Sequence, residues 1–479
     1  MQNLLPQKDF LYHEVAERFE RLINDHVLKS GDKLLSVRSL SKEQGVSMST
    51  AFQAYSILEN KGLIEAREKS GYYVKFSPRE FPQIPHHEIS MKEARKTSVD
   101  DMIAEIHKNI SAENILKFSL AAPSLELLPA AKLNKAVVQA IRSSKDSCLG
   151  YENIQGNELL RNQIAKYAFN WGGFIHEDDV VITGGCQEAI MLCLKAVTKP
   201  GDTVAVESPT YFGIFNMIQS LGLKVIEIPT SAAEGVNLQY LKSAIAKFKI
   251  KACLFVTNFN NPFGSCLPDE KKKKLVQLLA PHNIPLIEDD IYGEMYFGRK
   301  RPRTCKSFDK KGLVLLCSSV SKSLAPGYRV GWCVPGKFKD KIIRLKVIHS
   351  ISTPTITQAA IGLFMQNGRY ELHLRRLRKA LHTQCLRYIQ AITQFFPEDT
   401  KISRPQGGYV LWIELNKNVN AMELYQRAMK HKISISPGQI FSTGARFENC
   451  VRISFGRPYD AEVERGLKRL GGLVREMAG

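Results

Sequence analysis

CSSVSKSLAPGYRVGW, residues 317–332, ends the apolar run LVLLC (313–317) and carries a lone lysine, Lys322, between two serines. Pro326-Gly327 and Arg329 follow within seven positions. Most loop lysines are solvated charges. An amine placed straight after an apolar strand, among hydroxyls and an arginine, can instead be a nucleophile that forms a Schiff base beside a bound phosphate. Which reading holds depends on the strands around it.

Short apolar runs recur at DVVIT (179–183), TVAVE (203–207), LKVIEI (223–228), ACLFVT (252–257), PLIED (285–289), LVLLC (313–317) and YRVGWCV (328–334). Amphipathic helical segments separate most of them. Seven such strands predict a mostly parallel sheet covered by helices, with ligands at the strand C-terminal ends. Beyond about residue 375 the pattern changes to a smaller α+β segment, with GGYVLWIEL (407–415) and VRISF (451–455) as strands.

Polar groups gather at those strand ends. DVVIT runs into GGCQEA (184–189), glycines before a helix, whose free N–H groups can face a phosphate. PLIED ends in EDDIYGE, with Asp289 and Tyr292, and ACLFVT is followed by Asn261-Pro262. Singly, each reads as a turn or cap residue. Together they make an amine, a carboxylate, a phenol, an amide, a phosphate cradle and an arginine. Pyridoxal 5′-phosphate needs that set: a lysine for its aldehyde, a carboxylate for its ring nitrogen, and amides, hydroxyls and a cation for its phosphate.

At 479 residues the chain calls for two or three domains. Its 44% hydrophobic and 24% charged residues suit a soluble globular protein, and no run of eighteen apolar residues suggests a membrane span. The start, MQNLLPQKDF, reads as no signal peptide. Ten cysteines, all beyond residue 147 and without a CxxC pair, argue against a zinc ribbon or a disulfide framework. No metal is expected, and reduced thiols point to the cytoplasm. The net charge of +20 is spread unevenly: residues 1–75 hold 11 Lys+Arg against 10 Asp+Glu. Runs such as KKKK (271–274) and RRLRK (375–379) read as solvated helix faces, so charge alone does not place a DNA site.

The N-terminal seventy residues differ in texture. LYHEVAERFERLINDHVL (11–28) has apolar residues at 11, 15, 19, 22 and 23, an amphipathic helix. After the turn KSGDKL, Ser36 caps a short helix that ends at Gly45. Ser47 caps a third, with apolar positions Ala51, Ala54, Tyr55 and Leu58, that stops at Gly62. LIEAR, the turn EKSG and YYVKF read as a β-hairpin. This order is that of a winged helix-turn-helix, although a small helical domain that binds protein has the same elements. Residues 77–112 carry three prolines in SPREFPQIPHHEI and then DDMIAEIHKNI, a linker followed by a docking helix.

Through GDKL, SVRSLSKEQGVS, AFQAYSILENKGLIE and SGYYV, residues 9–76 resemble the DNA-binding domain of the GntR family of bacterial regulators. The resemblance implies a double-stranded DNA operator. The helix from Ser47, with Ser49 and Thr50, would enter the major groove, Ser36 would lie beside it, and Arg38 with the wing at Ser70, Gly71 and Tyr72 would touch the backbone. Leu35 stands where the family usually has proline, and SMSTAF (47–52) lacks the arginine common early in the recognition helix, so no base preference is legible. Residues 113–475 resemble a class I aminotransferase domain of pyridoxal-phosphate fold type I, with the small part at about 375–475. The whole chain resembles the MocR group of regulators.

By motif, that second resemblance makes Lys322 the Schiff-base lysine, with Ser319, Ser321 and Arg329 at the phosphate. Asp289 falls on the pyridine nitrogen, and Tyr292 and Asn261 on the 3′-oxygen. The amides of Gly185 and Cys186 and the side chain of Gln187 join the phosphate set, Cys186 at a position often held by a small or hydroxyl residue. Tyr211 would stack on the ring, and Tyr151 would reach the phosphate of a neighbouring subunit, implying a homodimer. Arg452 would clamp a substrate carboxylate, with Asn261 beside it.

Two functions follow. In one, the chain is a transcription factor whose aminotransferase-like domain senses pyridoxal phosphate or an amino compound. In the other, it is a working amino-acid aminotransferase with a secondary winged helix. Lys322, Asp289, Tyr292 and Arg452 are all present for catalysis, while a winged helix has no role in transamination. A decarboxylase or lyase on the same fold fits less well, because Arg452 supports an α-carboxylate.

Overall fold

A computed structural model of the chain describes residues 11–25, 27–29, 31–60, 62–67, 70–75, 82–85, 114–444 and 446–479. The chain divides into two compact units, Met1–Pro82 and Gln83–Gly479. The helix expected in DDMIAEIHKNI lies outside the described residues. Of the linker, residues 82–85 are described, and the Gln83 carbonyl accepts from Ile402 N at 2.9 Å.

In the first unit, helices α1 (Leu11–Asn24), α2 (Val37–Glu43) and α3 (Met48–Asn60) precede a hairpin of β1 (Ile64–Arg67) and β2 (Gly71–Val74). The hairpin pairs Ile64 with Val74 and Arg67 with Gly71. Val15, Ala16, Phe19 and Ile23 of α1 meet Leu40, Ala51, Ala54, Tyr55 and Leu58 in one core. Leu11, read from the sequence as part of that stripe, is exposed. The buried face follows the i, i+4, i+8 row from Val15, with Ala16 beside it, and Leu11 lies one turn before that packing begins.

The second unit is built on an eight-stranded sheet. Its strands are β3 (Val181–Thr183), β4 (Thr203–Ser208), β5 (Lys224–Ser231), β6 (Gly235–Val236), β7 (Ile250–Phe255), β8 (Leu286–Asp289), β9 (Val314–Ser319) and β10 (Gly331–Val334). They lie in the order β3-β10-β9-β8-β7-β4-β5-β6. From β9 to β5 neighbours are parallel, while β10 runs antiparallel between β9 and β3. The seven expected strands are all present. The eighth, β6, is a two-residue edge that pairs with the end of β5. Core side chains such as Leu160, Ile182, Leu316, Val320 and Phe364 fasten helices to one end of the sheet, and Ile226, Phe255, Leu275 and Leu286 fasten them to the other. The parallel register aligns the ends of β8 and β9, with Asp289 opposite Cys317.

The smaller part carries a four-stranded antiparallel sheet, ordered β11 (Lys401–Ile402), β12 (Val410–Glu414), β14 (Cys450–Ser454) and β13 (Ser436–Pro437). Two long helices, Arg369–Phe395 and Ala461–Ala478, pack on each other beside it. Leu116–Lys117 pairs in parallel with Ile433–Ser434, which carries the following residues, Ser119 to Ala121, towards the strand ends of the large sheet. Among the described residues no helix is long and apolar enough to cross a membrane.

Candidate functional site

A cavity of about 250 Å³ opens at the C-terminal ends of β8 and β9, lined by Tyr211, Asp289, Tyr292, Lys322, Arg329 and Arg452 among others. The sheet explains the gathering. Asp289 is the last residue of β8, and Lys322 stands three positions beyond the end of β9. Arg329 precedes β10 in a left-handed turn at φ 52°.

Lys322 Nζ donates to the Ala121 carbonyl at 2.7 Å, and Tyr409 Oη donates to the Lys322 carbonyl at 2.5 Å. Burial lowers the lysine to about 8, helped by the nearby Arg452 cation and opposed by Asp289. An ordinary lysine is about 0.1% neutral at pH 7.5, whereas this one is roughly a quarter neutral, so the amine is available as a nucleophile. Asp289 moves the other way. Burial raises it to about 6, although its Oδ1 accepts from Cys186 Sγ at 3.3 Å and from Ile291 N at 3.1 Å. Burial disfavours this carboxylate as an anion more than Lys322 favours it, so a cationic ring N–H beside it would stabilise its ionised form. Tyr292 shares a hydrogen bond with Asn261, beside the Tyr409 ring.

The candidate phosphate cradle lies between β3 and helix α4 (Cys186–Val197). Gly185 has φ +106°, and a Cβ there would come within 2.4 Å of Arg329 Nη2, so only glycine leaves this space open. Arg329 Nη2 donates to the Gly184 carbonyl at 3.0 Å, its Nη1 reaches Ser321 Oγ at 3.4 Å, and the Glu188 carboxylate accepts from Gly184 N. With the open amides of the α4 N-terminus, this makes an anion site. Gln187 and Ser321 line the cavity. Ser319 does not; its Oγ accepts from Ser321 N at 3.1 Å and shapes the turn. The Cys186 thiol turns to Asp289, which leaves its amide as the group that can serve a phosphate.

Arg452, on β14, is 2% exposed. Nη1 donates to Asn261 Oδ1 at 3.1 Å, and Nη2 donates to Ser436 Oγ at 2.8 Å and to the Ser119 carbonyl. The guanidinium lies 5.4 Å from the Phe441 ring centre, and its Nε has no partner. No carboxylate among the described residues pairs with it. Burial lowers it to about 10, so it remains a cation at neutral pH. A buried, uncompensated guanidinium with an orphaned N–H can take an external carboxylate. Tyr151 is not brought to this cavity; it is 88% exposed, close in sequence to the exposed Leu149 and Ile154.

Sequence reasoning missed Ser119, Ala121, Ser436, Tyr409 and Glu188. The first two act through backbone carbonyls, which no side-chain motif marks, while Tyr409 lies inside a stretch legible only as a strand.

In the first unit, Ser36 Oγ accepts from Ser39 N at 3.0 Å and Ser47 Oγ from Thr50 N at 3.0 Å, while Ser47 and Thr50 also share a hydroxyl bond of 2.8 Å. The Ser36 and Ser47 hydroxyls are helix caps, and the Thr50 hydroxyl is tied to the second of them. Arg38, Ser49, Ser70 and Gly71 are exposed. Tyr72 departs from the expectation that it faces a backbone. Its ring packs on Tyr55, centroids 4.7 Å apart. Strand alternation turns Tyr73 to the opposite face, under Lys33 and bonded to Ser70 Oγ at 2.7 Å.

Two family descriptions match the chain: bacterial regulatory proteins of the gntR family over residues 11–74, and aminotransferase class I and II over residues 114–470. The chain is 37% identical to the uncharacterized HTH-type transcriptional regulator YjiR of Escherichia coli (strain K12), over 97% of its own length and 98% of that protein's. It is also 37% identical to the uncharacterized HTH-type transcriptional regulator YdcR of the same strain, over 97% and 99%. The second unit is similar to the crystal structure of LysN, the alpha-aminoadipate aminotransferase of Thermus thermophilus, complexed with N-(5′-phosphopyridoxyl)-L-leucine. That similarity has a TM-score of 0.71 and 26% identity, covering 79% of this chain and 99% of that one.

Proposed function

Because this chain belongs to the MocR-type regulators, in which a GntR-family winged helix-turn-helix is joined to a class I and II aminotransferase domain, we propose that it regulates transcription by binding operator DNA as its pyridoxal-phosphate pocket senses an amino compound. The observation that carries this reading is the buried, unpaired guanidinium of Arg452 in the same cavity as the softened amine of Lys322. A pocket kept only as scaffold would gain by replacing that charge with an apolar side chain.

Pyridoxal 5′-phosphate is the cofactor of this domain, and the residues present fit it. The Gly185 cradle, with Arg329, Ser321, Gln187 and the first amides of α4, would hold the phosphate. Asp289 would hold the ring nitrogen, Tyr292 and Asn261 the 3′-oxygen, and Tyr211 the ring face. When bound, the cofactor supplies an aldehyde that condenses with amines and a protonated ring that draws electrons. Lys322 would present a partly neutral amine next to it, and Arg452 would orient the carboxylate of an incoming amino acid.

The regulator is a homodimer on this reading. Leu149, Tyr151, Phe174 and Ile348 are each exposed on one chain, and a second copy would cover such side chains while Tyr151 completes its phosphate site. It works in the cytoplasm, where DNA lies and ten free thiols stay reduced. The decisive experiment selects bound duplexes from a genomic library with and without pyridoxal phosphate and each amino acid. Ligand-dependent recovery of discrete sites supports the proposal; recovery of no duplex under any condition overturns it. A second reading, an amino-acid aminotransferase, is favoured by the gathering of Lys322, Asp289 and Arg452. It is tested by turnover of amino donors with a keto-acid acceptor.

A further inference from the structure

Helix α3 commits one face to the core of the first unit: Ala51, Ala54, Tyr55 and Leu58 are fully buried. At 100° per residue those four span about 100° of the helix circumference. The other side exposes Met48, Ser49, Phe52 and Gln53, with Ser56 and Glu59 half-buried. Met48 and Phe52 are 52% and 53% exposed and stand at i and i+4, so they adjoin on the surface. The helix contains no lysine or arginine. The Ser47 and Thr50 hydroxyls are occupied in the N-cap. What α3 offers outward is therefore two apolar side chains, a small hydroxyl and a carboxamide.

This inference rests on the DNA-binding reading above, in which α3 enters the major groove. Guanine is read there chiefly by arginine or lysine at O6 and N7, which α3 lacks. Apolar side chains meet the 5-methyl group of thymine, and glutamine pairs with adenine at N6 and N7. We infer that the half-site has an A·T core, read by Met48 and Phe52 on thymine methyls and by Gln53 on adenine. The phosphates are held by cations outside the helix, of which Arg38 and Lys33 are exposed. Exposed apolar residues on a recognition helix then have a use, and Glu59 keeps the C-terminal turn of the helix away from the phosphate rows.

The test uses the full-length protein loaded with pyridoxal phosphate. Duplexes with a random centre are selected, and the preferred site is titrated by fluorescence anisotropy with single thymines replaced by deoxyuridine, which removes only the methyl group. The selected core should be A·T. At contacted positions deoxyuridine should weaken wild-type binding about fourfold, the value of one buried methyl. Phe52→Ala should lose about as much and become indifferent to deoxyuridine at its position, whereas Phe52→Leu should keep the sensitivity. Gln53→Ala should lose about tenfold and its adenine preference. A core specified by G·C, or a wild-type protein indifferent to every deoxyuridine, overturns the inference while leaving DNA binding intact. So does a Phe52→Ala variant that binds DNA normally but changes subunit assembly, which would make Phe52 a protein contact. Failure of the underlying reading looks different: no duplex of any sequence is retained, even at low salt.

Discussion

Replacing Arg452 by leucine should remove recognition of the ligand carboxylate while the cofactor stays bound. Three of the five guanidinium N–H groups are committed to Asn261, Ser436 and the Ser119 carbonyl. Nε–H is left without a partner. A charge-assisted hydrogen bond there, together with the attraction of the buried guanidinium, is worth about 3 kcal/mol, or roughly 100-fold in affinity. The assay titrates the cofactor absorbance of the holoprotein with an amino acid and, in parallel, with the amine that lacks its carboxylate. Wild type should prefer the amino acid; Arg452→Leu should bind it about 100-fold more weakly but change amine binding far less, through the loss of the Arg452 cation beside Lys322. Cofactor content should hold, because Asn261 is the one cofactor-assigned group that Arg452 bonds, and Tyr292 is assigned to the same oxygen. The substitution strands three acceptors but removes a buried charge, so thermal stability should move little. If it falls, Arg452→Lys keeps the charge without the fork, and the same comparison can be made. Equal loss for amino acid and amine, or no loss for either, refutes the reasoning.

Gly185→Ala should weaken cofactor binding by at least tenfold, since its Cβ would lie 2.4 Å from Arg329 Nη2 at a φ that L side chains avoid; equilibrium dialysis of the cofactor measures it. Cofactor affinity should depend on pH through Asp289. Its carboxylate, raised to about 6 by burial, is ionised above that pH and protonated below it, so affinity should hold above pH 6 and fall about tenfold per unit beneath it. Asp289→Asn should bind more weakly at pH 8 and lose the dependence. Lys322→Ala should fold and bind operator DNA but retain no cofactor after borohydride treatment, where wild type yields a labelled Lys322 peptide. Leu58→Ala, at a fully buried position in the first unit, should cost about 2–5 kcal/mol there and abolish DNA binding without bleaching the cofactor.

The parts of the site that were legible are those where chemistry demands a particular side chain at a particular strand end. Lys322, Asp289, Arg329 and Arg452 sit at or beside apolar runs long enough to be read as strands, and the sheet then brings them together. Parity and direction were harder. YYV reads as a strand, but which tyrosine faces the core depends on Tyr55 across the gap, and Tyr72 was assigned outward. GGC reads as a cradle, yet the Cys186 thiol follows Asp289 because the nearest acceptor lies there. Ser119, Ala121 and Ser436 were invisible because their roles arise from a short parallel pairing, Leu116–Lys117 with Ile433–Ser434, between segments more than 300 residues apart. Local pattern holds no trace of such a contact.

The carboxylate energy also bounds what sensing can achieve. A ligand shifts an equilibrium only by the difference in its affinity for the two arrangements. Arg452 is well placed to create that difference, since it lies on β14 of the smaller part and bonds Asn261 at the strand ends of the larger one. If the whole 3 kcal/mol or so were differential, one pocket could change the ratio of arrangements about 100-fold. A change from 1:99 to 99:1 needs about 5.5 kcal/mol. One pocket falls short, whereas two coupled pockets of the proposed homodimer would supply about 6 kcal/mol and suffice. Mixed dimers carrying one Arg452→Leu subunit should therefore respond to amino acid with a partial, hyperbolic change in operator affinity, against a near-complete and steeper change in wild type. A full response from the mixed dimer would mean that the subunits do not share one switch, and that the differential contacts lie elsewhere in the pocket.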